Sequence, residues 1–188
     1  MDNMGTSTGA AMTEGGAGVR AMARVERPVH TVAVRRPRQW FPARTLHLVD
    51  IENLAGAALP SRDQVTEVQG LYVARLAFGA DDQVVMAASH VAFLNAALGW
   101  PSARYRVRSG PNGADLELLD VLQNEDVAAR FTHVVIGSGD GLFTQAAAGL
   151  TARGFWVTVV SRRDSLSRAL AGVAGDVRYL DAPRAAAA

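Results

Sequence analysis

Cysteine is absent from the 188 residues, which excludes disulfides, thiolate metal sites and cysteine nucleophiles. Lysine is absent too, so all nineteen basic residues are Arg. An all-Arg, Ala- and Gly-rich chain is also what a GC-rich coding sequence produces, and no nucleic-acid specificity is read from it. Apolar runs stay well short of the ~20 residues that span a bilayer, and the start lacks a signal peptide's charged and apolar regions. A cytoplasmic, soluble protein without membrane contact is expected.

Net charge is +1, too small to argue for a polyanionic partner, but it is unevenly placed. Residues 1–44 hold seven Arg against three acidic residues, and the remainder holds twelve against fifteen. With 49% hydrophobic residues the length suits one domain with a substantial core. Residues 1–43 pass from Gly, Ala, Ser, Thr and Met to Arg and Pro without helical or alternating period, and read as a disordered or loosely attached basic arm. Within it HTVAVRRPRQW is compatible with a short strand, a basic docking peptide or a solvated tail. The domain is expected over 44–182, followed by a disordered tail at 183–188.

From Arg44 on, strand-like and helix-like runs alternate. Strands are expected at 45–49, 83–87, 103–108, 132–136, 155–160 and 177–180, and helices near 62–76, 89–98, 115–129, 141–152 and 165–172. Ser61 with Gln64 three residues on resembles a capping box, Ser89 can cap the next helix, and Gly99 with Pro101 closes it. Strand–helix–strand repetition implies right-handed crossovers. The expected fold is a Rossmann-like three-layer α/β/α sandwich with a mainly parallel sheet.

Ligands in such sheets collect beyond the carboxyl ends of the strands, where strand order reverses. In LHLVDIENLAG the first strand ends in Asp50, with Glu52 and Asn53 close behind. VVIGSGDGLF places Asp140 after the fourth strand. If these strands are neighbours, the two carboxylates converge. The turn in SGPNGADLELLDVL delivers Asp115 at or near a helix N-terminus, where an N-cap role is the structural alternative. Asp120 lies about 140° further round that helix, as a peripheral ligand, a partner of the ligands or a solvated residue. Carboxylates gathered without basic partners repel one another and call for a cation. All-oxygen donors favour Mg²⁺ or Mn²⁺ over zinc, and a hydrated divalent ion suits phosphodiester hydrolysis.

LVDIENL, NGADLELLDVL, VVIGSGDGLF and GFWVTVVSRRDSLSRALAGVAGDVRYL, in this order and spacing, resemble the NYN domain, a branch of the PIN-like nucleases. The resemblance covers about Leu46 to Leu180. It implies a parallel α/β/α sandwich and a ribonuclease using Mg²⁺ or Mn²⁺, with RNA, single-stranded in expectation, as partner. By position it implies Asp50, Asp115 and Asp140 as metal ligands, Asn53 as a site-organising amide and Ser138 as the small hydroxyl residue beside the last carboxylate; Asp120 matches a second acidic position on the same helix. Two positions depart from the family: Leu142 stands where a second Asp is common, and Asn112 where Lys is usual. Whether Glu52 replaces the missing carboxylate stays open, as do a homodimer and a partner for the arm.

Arg104, Arg106 and Arg108 alternate, placing three guanidinium groups on one strand face, as phosphate contacts or as charge guarding an edge. Arg162, Arg163 and Arg168 form a second cluster open to the same two readings. His47, His90 and His133 have no metal-ligand spacing, and Trp40, Trp100 and Trp156 read as packing or loop anchors. GSGDG fits neither nucleotide-binding glycine pattern. Two other readings remain: a non-catalytic RNA-binding or protein-interaction module on this fold, and a haloacid-dehalogenase-like phosphatase, whose usual phosphate-binding Lys this chain cannot supply.

Overall fold

The computed structural model describes residues 44–181, so the arm expected over 1–43 and the tail over 183–188 lie outside the described residues. Six strands form one sheet: β1 (Thr45–Asp50), β2 (Gln83–Ala88), β3 (Arg104–Val107), β4 (His133–Gly137), β5 (Trp156–Ser161) and β6 (Asp176–Tyr179). Their order is β3-β2-β1-β4-β5-β6, and every pairing is parallel. β1 lies at the reversal, paired with β2 through Leu48↔Val85 and with β4 through Leu48↔Ile136.

Helices follow from the crossover rule. The chain moves one way from β1 to β3, so α1 (Ile51–Ala55), α2 (Arg62–Arg75) and α3 (Phe93–Gly99) share one face. It then moves the other way, and right-handed crossovers put α4 (Gly113–Asn124), α5 (Val127–Arg130), α6 (Thr144–Ala152) and α7 (Arg168–Val173) on the opposite face. The two cores match this division. Leu46 and Leu48 of β1 pack with Leu118 of α4 and Ala147 of α6, whereas Val49 packs with Val65 and Tyr72 of α2. Buried on both faces, the central strands read as near-continuous apolar runs. No helix among the described residues is long and apolar enough to cross a membrane.

Strand boundaries agree with the sequence to within a residue, and the Ser61–Gln64 capping box is formed. Helices differ more. The helix expected over 115–129 breaks after Asn124, because Asp126 adopts a left-handed conformation (φ 47°). Ser89 accepts a hydrogen bond from the Ala92 amide one turn ahead of α3, so that helix starts at Phe93 rather than at Ser89. α7 starts at Arg168 because the Ser167 amide donates instead to Gly139 O at 2.8 Å. α1 was not expected as a helix; it forms because Asp50 caps it and Gly56 ends it at φ 67°, a conformation that glycine alone adopts cheaply.

His47 is buried beside Tyr72 Oη (3.2 Å), stacked on Phe78 at 4.3 Å and 3.6 Å from Asp82. Burial lowers its pKa to about 4, outweighing the attraction of Asp82. The unfolded chain therefore binds a proton near pH 6.5 that the folded chain refuses until about pH 4. The stability contributed by neutral His47 is present above pH 6.5 and falls away below it. Relative to His47→Phe, the wild-type free energy of unfolding is expected to drop by about 1.4 kcal/mol per pH unit across that window. Urea titrations of both proteins from pH 7 to 4 check this, and a pH-independent difference refutes it.

Candidate functional site

At the carboxyl ends of β1 and β4 the chain turns to opposite faces of the sheet and leaves a crevice between the turns. Asp50, Glu52, Asn53, Arg108, Asp115 and Asp140 line a cavity there of about 380 Å³. Each reaches it by a local rule. Asp50 ends β1 and is the N-cap of α1, its Oδ1 accepting the Asn53 amide at 3.1 Å. Asp115 stands in the first turn of α4, whose N-cap Asn112 has φ 56°. Asn tolerates that left-handed conformation better than Lys does, which gives Asn112 a backbone reason for its place. Asp140 caps the 3₁₀ turn Gly141–Phe143, its carboxylate accepting the Leu142 amide at 2.8 Å.

One amide joins the two sides of the crevice. Asn53 Oδ1 accepts the Gly139 amide at 3.0 Å, tying the turn after β1 to the turn after β4. A Cβ on Gly139 would strike Ser165 O and Ser161 Oγ, so glycine is required for this close approach. Ser138 is fully buried and its Oγ accepts the Asp140 amide at 3.2 Å. Glu52 faces the cavity rather than open solvent, and its carboxylate accepts the Ser89 amide at the end of β2 at 2.9 Å.

The carboxylates press on one another. Asp50, only 5% exposed, has its pKa raised to about 7, chiefly by burial, with Asp115 and Glu52 adding repulsion against the Asn53 hydrogen bond. Asp115 is raised to about 6, by burial first and then by Asp140. Its Oδ1 is buried and finds no hydrogen-bond donor among the described residues. Oxygen donors of raised pKa with an orphaned lone pair fit a hard divalent cation, which would favour their ionised forms. Among the described residues, no three His, Cys, Asp or Glu side chains are gathered at metal-holding distance.

Most of the other residues singled out in the sequence fall outside this group. Asp120 accepts from Arg106 and from Asn124 at 2.6 Å and does not line the cavity. Arg104 pairs with Glu125 at 2.6 Å, and Arg106 with Glu117 at 2.9 Å and with Asp120. Arg104 and Arg106 thus share one face, where α4 and the Glu125 that ends it supply their counter-charges. Arg108 is the member of the series that lines the cavity. Leu142 points instead into a hollow between α4 and α6 with Leu119, Leu122 and Gln145. Trp100 is buried against Tyr72 at 5.4 Å, as a packing anchor. Sequence reading missed Gly139 as the joint of the crevice and Ser89 as the anchor of Glu52; the glycines of GSGDG were the available signal for the first.

No protein-family model matches the chain, and no curated protein matches it. Among solved structures it is similar to a protein of unknown function from Vibrio parahaemolyticus. The two share 19% sequence identity and a TM-score of 0.52, over 74% of this chain and 93% of that one. At that identity the likeness shows the fold.

Since the folded state raises the Asp50 and Asp115 pKa values from 3.8 to about 7 and about 6, their contribution to stability is fully present below the unfolded value and is lost as pH rises from there through the folded values. Asp50→Asn keeps an oxygen to cap α1 and removes a repelled charge. Its thermal midpoint should exceed that of the wild type by roughly 5 °C at pH 8, and the gain should vanish near pH 4. A gain unchanged with pH, measured by scanning calorimetry, would contradict carboxylate repulsion.

Proposed function

We propose that this protein is a divalent-cation-dependent ribonuclease of the NYN type, hydrolysing RNA phosphodiester bonds in the crevice between β1 and β4. The observation that carries the reading is that Asp50, Asp115 and Asp140 line one cavity at the switch point, with Asp115 Oδ1 buried and unpartnered among the described residues. Asp50, Asp115 and Asp140 would hold Mg²⁺ or Mn²⁺, which supplies a lowered water pKa and charge neutralisation at the scissile phosphate.

The chain's own residues set up that chemistry. Asn53, through the Gly139 amide, keeps Asp140 at a fixed separation from Asp50. Ser138 holds the Asp140 amide and so orients the turn that carries the carboxylate. Glu52, anchored on Ser89, adds a fourth carboxylate on the cavity wall and is the candidate proton acceptor for the attacking water. Burial leaves Asp50 with little contact with bulk water and strengthens charge interactions there.

One pair of observations favours a second reading, a module that binds RNA or a protein without cutting. Leu142 occupies a common family Asp position and faces another hollow, and Asn112 brings no cation to the cavity where the family usually has Lys.

Purified protein should cleave single-stranded RNA with Mn²⁺ or Mg²⁺ and stop on chelation. Asp140→Asn and Asp115→Asn should each lower the rate at least ~100-fold while leaving RNA binding in place. RNA binding with no cleavage under any divalent ion would select the second reading in its RNA-binding form, and neither RNA binding nor cleavage would defeat the ribonuclease and the RNA-binding module alike.

A further inference from the structure

Residues 83–103 hold no Asp, Glu, Lys or Arg. The stretch runs through β2, α3 and the approach to β3. β2 is interior to the sheet and needs no charge, but α3 lies on the outside of its layer. A surface helix turns an apolar stripe inward and a polar one outward, and α3 breaks that rule. Its inward side is closed on α2: Ala96 and Gly99 are buried, and a Cβ on Gly99 would strike Val65. Its outward side shows Leu94, 64% exposed, and Leu98, 52% exposed, four residues apart on one face. Val91, in the turn that leads into the helix, is 70% exposed and stands three residues before Leu94. Leu59, 58% exposed, borders them, because Asn95 Nδ2 donates to the carbonyl of the adjoining Pro60 at 3.0 Å.

Four branched side chains open by half or more expose on the order of 400 Å² of apolar surface, the size of the largest patch on an ordinary monomer and one that is often functional. A stable dimer buries about 800 Å² per partner, a little over half of it apolar. The face around α3 supplies roughly that apolar share.

Charge narrows the occupant. A polyanion would find no cation on α3, and the Arg-rich residues 1–44 would find no carboxylate there. A second copy of the same face brings no like charge against it, as a self-complementary two-fold contact requires. The sheet edges offer a poorer route to association: β3 carries Arg104 and Arg106, and β6 carries Asp176 and Arg178, charges that discourage strand-to-strand pairing.

We propose that α3 and its lead-in turn form the contact between two copies of this chain, related by a two-fold axis that sets Val91, Leu94 and Leu98 of one copy against the same face of the other. Ser89, two residues before Val91, belongs to the wall of the crevice, so the contact adjoins the candidate site in each copy. The proposal does not rest on the ribonuclease reading, and its test involves no RNA.

Sedimentation velocity of the full chain should show a dimer with a Kd in the micromolar range or tighter. Leu94→Glu and Leu94→Lys should each raise that Kd by roughly 100-fold or more through like-charge contact, with circular dichroism unchanged because the position is exposed. Mixing the two variants should restore the dimer, a recovery that misfolding cannot produce and that requires the face to meet itself. Since the chain has no cysteine, Leu94→Cys labelled with a benzophenone maleimide is a single-site photocrosslinker. Irradiation should yield a product of twice the chain mass, and the same label on Leu116→Cys, in the opposite helical layer, should not. A monomer at every concentration, a dimer indifferent to both Leu94 charges, or a mixture that stays monomeric overturns the proposal. A product of single-chain mass joined to residues 1–44 also overturns it, and would make that segment the occupant.

Discussion

The structure depends on the reversal of strand order at β1. Parallel pairing on both sides buries this strand completely, and right-handed crossovers then oblige the chain to leave β1 and β4 toward opposite faces. A crevice between those two departures is unavoidable. Backbone at its floor cannot be covered by either helical layer, so polar side chains at the two strand ends meet there. Asp50 and Asp140 line one cavity for that reason, although ninety residues separate them, and α4 adds Asp115 because its N-terminus opens at the same edge.

That gathering has an energetic cost that the fold carries elsewhere. Burial and mutual repulsion hold two carboxylates in the crevice at pKa values of about 7 and 6, against the tightly filled layers on either side of the sheet. On β3 and α4 the arrangement is the opposite. There Arg104 and Arg106 are matched by Glu125, Glu117 and Asp120, and the charges close on one another at a sheet edge. Charge is thus paired on the flank, whereas at the switch point burial and repulsion raise the pKa values of two carboxylates.

Most of the sheet was legible because buried parallel strands write themselves as short apolar runs: TLHLV, QVVMA and THVVI each match their strands closely. Helix starts were less so. Ser89 looked like a cap, but whether a serine caps a helix or a preceding turn depends on the backbone it meets, and Ser167 was diverted by Gly139 from outside its own segment. α1, five residues long, is too short to show a period and exists through its two ends, Asp50 and Gly56. At the site, Asp50, Asp115 and Asp140 could be named because strand ends and helix starts are visible in sequence. The Arg residues could not be sorted, because alternation fixes a face and says nothing about which partners a helix distant in sequence will present. Leu142 and Glu52 illustrate the same limit: one faces away from the cavity and the other into it, for reasons of turn geometry that no spacing encodes.

Gly139 is a junction as well as a turn residue. Its amide goes to Asn53 Oδ1 and its carbonyl receives the Ser167 amide, so the segments following β1, β4 and β5 share one small hub. In the language of local unfolding, the three cannot open one at a time: releasing any of them exposes the polar groups of the others. The rim of the crevice is therefore a single cooperative unit. Through Gly139 the Asn53 turn and the lead-in of α7 are joined by two consecutive hydrogen bonds, although neither segment touches the other in sequence.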